Sequence, residues 1–326
     1  MHRLVVAAVG LLSISAVAPG EPPGAAPGRR VLLDAHNAYP YEGRFDDRVP
    51  RALATGTPLA IEQDVAWCAT SPGHMEAVVA HDTVCRGDEP TLRHYFFDRV
   101  GPLLDRAVED RRPESWPLIT LNLDFKMEPP ELLRAVQALV AEHPAWLTSA
   151  PRATDDSTPA EMTLGPLLVL TGESDAQERV FHDEVPAGGR LVIFGAAHNR
   201  PGAAEGEVPQ PTPATNYRRW WNHPWKVVEP RGQRDAGAWT PESAARLQTV
   251  VSRAHAAGLW IRFYTLDGFP AADGDRFGWF ASYNFGSLDA AETRWRAAIA
   301  ARVDFIATDQ YEELRALLNH PDVRIP

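Results

Sequence analysis

Glu62 and Asp64 stand two residues apart in the segment Leu59 to Trp67, where Ile61, Val65 and Trp67 give strand character. Side chains on a strand alternate with period two, so both carboxylates share a face. In a dry interior they would repel one another; they need a cation or an open mouth. Other apolar runs also end on polar groups. Val31 to Leu33 leads to His36 and Asn37, Ala77 to Ala80 leads to His81, and Ile119 to Leu123 leads to Asp124 and Lys126. Asn37, Glu62, Asp64 and Asp124 are oxygen donors of the kind one divalent cation, Ca2+ or Mg2+, takes. Such a shell can use a phosphate oxygen as a further ligand, with His36 and His81 on either side of the phosphorus as proton donor and acceptor. Lys126 shares a strand face with Asp124 and would neutralise phosphate charge. Each residue alone has an ordinary role: a strand-end Asp caps a helix, a single His is a satisfied polar group, a rim Lys is solvated. The pairing of Glu62 with Asp64, and further donors ending separate strands, favours a metal site.

Elements that deliver groups to one rim in this way are the strands of an α/β fold. Strand-like runs fall at 31–37, 59–67, 77–82, 119–126, 166–172, 190–195, 259–267 and 303–309. Ser71-Pro72-Gly73 makes the second and third of these a hairpin-like pair. Helical spacing marks 46–54, 90–110, 131–142, 290–302 and 311–318, and Thr240-Pro241 starts a helix that Gly258 ends. Short strands and longer helices alternate without an internal repeat. The pattern predicts one TIM-type (β/α) barrel over residues 29–326, an irregular one being allowed, rather than two domains.

With 326 residues, 44% of them hydrophobic, the chain can bury a sizeable core. A formal net charge of -11 with no basic stripe argues against nucleic acid as a partner. Met1-His2-Arg3, the apolar run from Leu4 to Val17 and the Pro/Gly/Ala-rich stretch to Gly28 have the layout of a signal peptide and tether over residues 1–28. The expected location is secreted or periplasmic. Cys68 and Cys85 are the two cysteines, and export favours a disulfide between them over two buried thiols.

In order along the chain, His36-Asn37, Glu62-x-Asp64, His81-Asp82 and Asp124-Phe125-Lys126 resemble the PLC-like phosphodiesterase superfamily. It includes glycerophosphodiester phosphodiesterases, phosphoinositide-specific phospholipases C and the spider-venom sphingomyelinases D. Residues 262–267 and 304–314 are similar to the last two strands and closing helix of the glycerophosphodiesterases. The resemblance implies a TIM barrel and a phosphoric diester hydrolase. It implies His36 and His81 as the acid/base pair, His36 on the nucleophile side and His81 on the leaving-group side. It also implies Glu62, Asp64 and Asp124 as ligands of one divalent ion, and Lys126 as a phosphate-side cation. Asn37 replaces the usual Arg of the glycerophosphodiesterases, and resembles the calcium-dependent phospholipases, where that Asn is a ligand.

Arg218 and Arg262 are candidate second cations near phosphate, and Trp221 and Tyr264 candidate substrate contacts. The aromatic stretches 217–225 and 279–285 either stack a headgroup or lipid at the rim, or cover the barrel end. The expected partner is a small-molecule or lipid-headgroup phosphodiester, with transient membrane-surface contact, acted on by a monomer. Two other readings remain: a glycosidase using the paired carboxylates, and a non-catalytic secreted barrel that binds glycans or lipids through a Trp-rich rim.

Overall fold

The computed structural model describes residues 25–41, 43–155, 158–202 and 206–323. The signal-like residues 1–24 lie outside the described residues. Among the described residues, eight parallel strands close a barrel: β1 (Leu32–Ala35), β2 (Leu59–Ser71), β3 (Ile119–Phe125), β4 (Leu167–Thr171), β5 (Phe194–Ala196), β6 (Arg218–Pro224), β7 (Trp260–Tyr264) and β8 (Phe305–Thr308). Each pairs with the next in the chain, and β1 pairs with both β2 and β8, which shuts the ring. Helices α1 (Arg48–Ala54), α2 (Asp98–Asp110), α3 (Pro130–Ala141), α4 (Asp175–Glu178), α5 (Pro241–Ala256), α6 (Ala271–Phe277) and α7 (Leu288–Ala300) lie in the connections between strands, and α8 (Tyr311–Leu318) follows β8. The fold is a TIM-type (β/α) barrel.

Period two sorts the strand residues into two packings. Leu32, Ala60, Leu168, Phe194, Trp220, Trp260 and Phe305 meet in one cluster inside the barrel. Leu33, Ile61, Leu121, Val169, Trp221, Ile261 and Ile306 belong to the larger cluster shared with the helices. Both clusters are closed to water, so each strand is buried on two sides, as parallel strands are. Below the inner cluster, Trp260 Nε1 donates to Ala25 O at 2.7 Å and Gly28 N donates to Asp304 Oδ1 at 2.6 Å, which pins residues 25–28 against the barrel.

β2 overshoots its neighbours and returns as an antiparallel strand, His74–Val79, the hairpin expected from the Ser-Pro-Gly turn. Cys68 on β2 is disulfide-bonded to Cys85 in the loop after His81. α5 starts as predicted: Thr240 caps it by accepting from Ser243 N at 3.2 Å, with Pro241 in the first turn. One reading needs correction. The aromatic stretch at 217–225, taken for a rim or cover, contains a barrel strand, β6, in which Trp220 and Trp221 are both buried on opposite faces.

Candidate active site

The site forms where β1, β2, β3, β6, β7 and β8 end. A cavity of about 170 Å³ is lined there by His36, Asn37, Glu62, Asp64, His81, Asp124, Lys126, Arg262 and Tyr264, all named from the sequence. Asn122, Leu123, Gly172, Trp220, Asn222 and Tyr283 complete it. Strand register explains the gathering, because Glu62 pairs with Asn122, Asp64 with Asp124 and Asn222 with Arg262. Residues level with one another on adjacent strands face the same interior.

Glu62, Asp64 and Asp124 each offer an oxygen within 4.8 Å of the others. The Lys126 ammonium lies 2.7 Å from Asp124 Oδ2 and 2.9 Å from Asp64 Oδ2. Among the described residues the buried Asp64 Oδ2 is met by this ion pair alone. Burial pushes the Asp64 carboxyl well above its usual range; Lys126 opposes this, while Glu62 and Asp124 add to it. An all-oxygen set that includes a buried carboxylate, with one ammonium shared between two of its members, fits a hard divalent cation.

Glu62 is held from two sides. Oε2 accepts from Asn37 N at 3.2 Å and lies 3.4 Å from His36 Nε2, while Oε1 lies 3.3 Å from Arg262 Nη2. Burial opposes its charge, but Arg262, His36, Lys126 and the Asn37 bond outweigh burial and hold it at about 2. Arg262 is fully buried, with Nε donating to Asp34 Oδ2 and Nη1 donating to Asn222 Oδ1 at 3.1 Å. Its role is thus at the cavity floor, tying β1, β2, β6 and β7 together.

His36 lies just past β1, its Nδ1 2.9 Å from Asp309 Oδ1. That bond fixes the ring so that Nε2 is left for the cavity side. Burial acts against its charge, yet the Glu62 carboxylate and the Asp309 bond hold it up at about 9. His81 sits in a different setting. It is part-exposed, packed near the Tyr39 and Phe280 rings at 6.1 and 5.7 Å, and burial followed by the Lys126 charge lowers its pKa.

Some expected groups are placed differently. Asn37 reaches the cavity, where its amide also bonds protein groups: Nδ2 donates to Asp309 Oδ1 at 2.9 Å and Oδ1 accepts from Tyr39 OH at 2.9 Å. Its backbone sits at φ 51°, the left-handed region that Asn tolerates better than most residues. Arg218 and Trp221 do not line the cavity. Arg218 donates to Glu173 O and Ala196 O and pairs with Glu178. Trp221 alternates with the inward Trp220 and Asn222, so it faces the helices and donates to Asn199 Oδ1 at 3.0 Å. Asp34, Asp309, Asn122, Asn222 and Tyr283 were not singled out as site residues. The available signal was position: Asp34 lies two residues before His36, and Asp309 ends the last predicted strand.

No protein-family model and no curated protein matches the chain. Among solved structures it is similar to a glycerophosphoryl diester phosphodiesterase from Parabacteroides distasonis ATCC 8503, at 12% identity over 89% of this chain and 86% of that one, TM-score 0.44. It is also similar to a glycerophosphodiester phosphodiesterase from Agrobacterium tumefaciens str. C58, at 13% identity over 89% of this chain and 100% of that one, TM-score 0.33.

Proposed function

We propose that this protein is an exported, metal-dependent phosphodiesterase that cleaves a phosphodiester of the glycerophosphodiester or phospholipid-headgroup type. The observation that carries this reading is the convergence of the Glu62, Asp64 and Asp124 carboxylates with two histidines and Lys126 on one cavity. Asp64 and Asp124 share the Lys126 ammonium, and Glu62 adds a third carboxylate to the same cluster, a donor set that suits a divalent cation. Ca2+ or Mg2+ held by Glu62, Asp64 and Asp124 would supply Lewis-acid stabilisation of the phosphate oxygens. Asn37 helps indirectly, by orienting Asp309 and Glu62.

The chain's own groups do the rest. Lys126 places a positive charge beside those oxygens as negative charge develops. The resemblance puts His36 on the nucleophile side, but the surrounding charges favour the opposite division. His36 keeps its proton near neutral pH and donates it from Nε2 to the leaving alkoxide. His81, whose proton is lost more easily, accepts one from the attacking hydroxyl or water. Tyr264 and Tyr283 wall the headgroup space. The half-buried Trp279 and Phe280 suit brief contact with a lipid surface. The Cys68–Cys85 bond is consistent with export.

The test is a panel of glycerophosphodiesters, phospholipids and bis(p-nitrophenyl) phosphate, each with Ca2+, Mg2+ or EDTA. Metal-stimulated release of alcohol or phosphate ester is expected. Binding of headgroups with every diester left intact would contradict the reading.

A further inference from the structure

Asp267 lies three residues past β7 and is fully buried. Its Oδ1 accepts from Thr308 Oγ1 at 2.5 Å and from Asp309 N at 2.7 Å, while its Oδ2 has no hydrogen bond among the described residues. His36, Asp267 and Asp309 bring side-chain atoms within 4.8 Å of one another. The backbone of Asp267 makes a second attachment. Its N donates to Tyr283 O at 3.2 Å, and its O accepts from Phe285 N at 2.7 Å. Tyr283 is a wall of the cavity, its ring centre 5.6 Å from that of His36. One residue thus joins the end of β8, which carries the partner of His36, to the turn that carries Tyr283.

The chain reaches Asp267 through strained backbone. Thr265 has φ 72°, a left-handed conformation that is an outlier for a β-branched residue. Gln233 Nε2 holds it there by donating to Thr265 O at 2.5 Å. Such strain persists only where the surroundings over-determine it, and it clusters at functional sites.

We propose that Asp267 is a positioning residue, clamping the Asp309 carboxylate against His36 and the Tyr283 turn against the cavity. The inference rests on the phosphodiester-cleaving reading of the site. Two carboxyls this close resist sharing two negative charges. Burial first, and then Asp309, raise Asp267 to about 7 against the pull of His36 and the bonds from Thr308 and Asp309 N. Asp309 just past β8 and His36 just past β1 are the charged groups that face it. A second charge, gained as the pH rises, pushes Asp309 away from its seat.

The test compares Asp267→Asn with Asp267→Leu. Asn keeps the shape and the accepting oxygen but cannot ionise. Asp267→Asn should stay within about threefold of the native kcat and should lose the fall in kcat that the native protein shows above pH ~7. Asp267→Leu should lose at least about tenfold in kcat, because a misplaced His36 forfeits part of the roughly 10²–10⁴-fold that acid/base assistance supplies, with little change in KM. Hydrogen exchange at the Asp309 amide should quicken in the Leu variant and not in the Asn variant. Exchange needs no turnover, so it separates the two ideas: selective release of that amide in a protein inactive on every diester would support the clamp and remove the proposed function. Equal damage in both variants, native kcat in the Leu variant, or an alkaline fall that persists in Asp267→Asn would overturn the clamp. If Asp267→Leu does not fold, the pH profile of Asp267→Asn decides.

Discussion

The two ends of the barrel interior are built from the same strands and differ in what they ask of water. At the floor, Leu32, Leu168, Trp260 and Phe305 fill the barrel, and Ala25 to Gly28 close it below. Two residues further along the same faces come Asp34, Glu62, Asn122, Asn222 and Arg262, and beyond them His36, Asp64 and Asp124. The floor gains stability by removing apolar area from water. The mouth buries charge, and several of its polar atoms, in Asp34, Asp64, Asn122 and Arg262, have no hydrogen bond among the described residues. One face of one strand thus serves packing at one height and chemistry at the next. Substitutions at the two heights should therefore separate stability from activity.

The largest effect is expected at the mouth. Asp64→Asn should lower turnover and divalent-cation affinity by more than the roughly 10–100-fold that loss of an outer-shell partner costs. Without metal, its stability should be unchanged or higher, since burial and neighbouring carboxylates oppose the Asp64 charge. Calorimetric titration with Ca2+ and Mg2+, alongside melting in EDTA, checks both halves. Unchanged cation affinity would remove Asp64 from the ligand set.

At the floor the pattern should invert. Trp260→Ala should cost about 3–5 kcal/mol in urea unfolding, through lost burial and a cavity. Cation affinity of the remaining folded protein should stay native. A marked loss of affinity would mean that the two ends are coupled through the barrel wall.

His223 offers a pH test that does not involve the mouth. It is buried beside Trp221, its Nε2 has no hydrogen bond among the described residues, and burial lowers it to about 4. The unfolded chain, with its histidine near 6.5, binds more protons between those values, so stability should be full above pH ~6.5 and fall as the pH drops toward ~4. The part due to His223 is at most about 3 kcal/mol, and His223→Gln should remove that share of the slope. An identical acid slope in the variant would count against the neutral, buried imidazole. The smallest effect belongs to the outer shell: Thr240→Ala should cost about 1 kcal/mol by removing the cap on Ser243 N, with activity untouched.

The same contrast explains what could be read from the sequence. Glu62 and Asp64 were legible because period two puts them on one face, and His36, His81, Asp124 and Lys126 because each follows an apolar run. β6 was not, since Arg218 to Pro224 mixes Arg, Trp, Asn and His with no apolar run to mark a strand. Its misreading sent Arg218 and Trp221 to the site, although one is bound by Glu173 O and Ala196 O and the other faces the helices. Partners brought together by closure of the ring were the hardest to see. Asp309 meets His36 across 273 residues of chain, and Arg262 meets Asp34 across 228. No local pattern marks such pairs; only the register of β1 against β8 and of β7 against β8 creates them.

The central claim is that the mouth cleaves a phosphodiester with His36 giving a proton and His81 taking one. The most direct measurement is kcat/KM for His36→Ala and His81→Ala on two diesters, one with an alkoxide and one with a p-nitrophenolate leaving group. His36→Ala should fall by about 10²–10⁴-fold on the alkoxide substrate and far less on the p-nitrophenyl one, which hardly needs a proton. His81→Ala should fall heavily on both. The reverse pattern would exchange the two roles, and native rates in both variants would contradict the account.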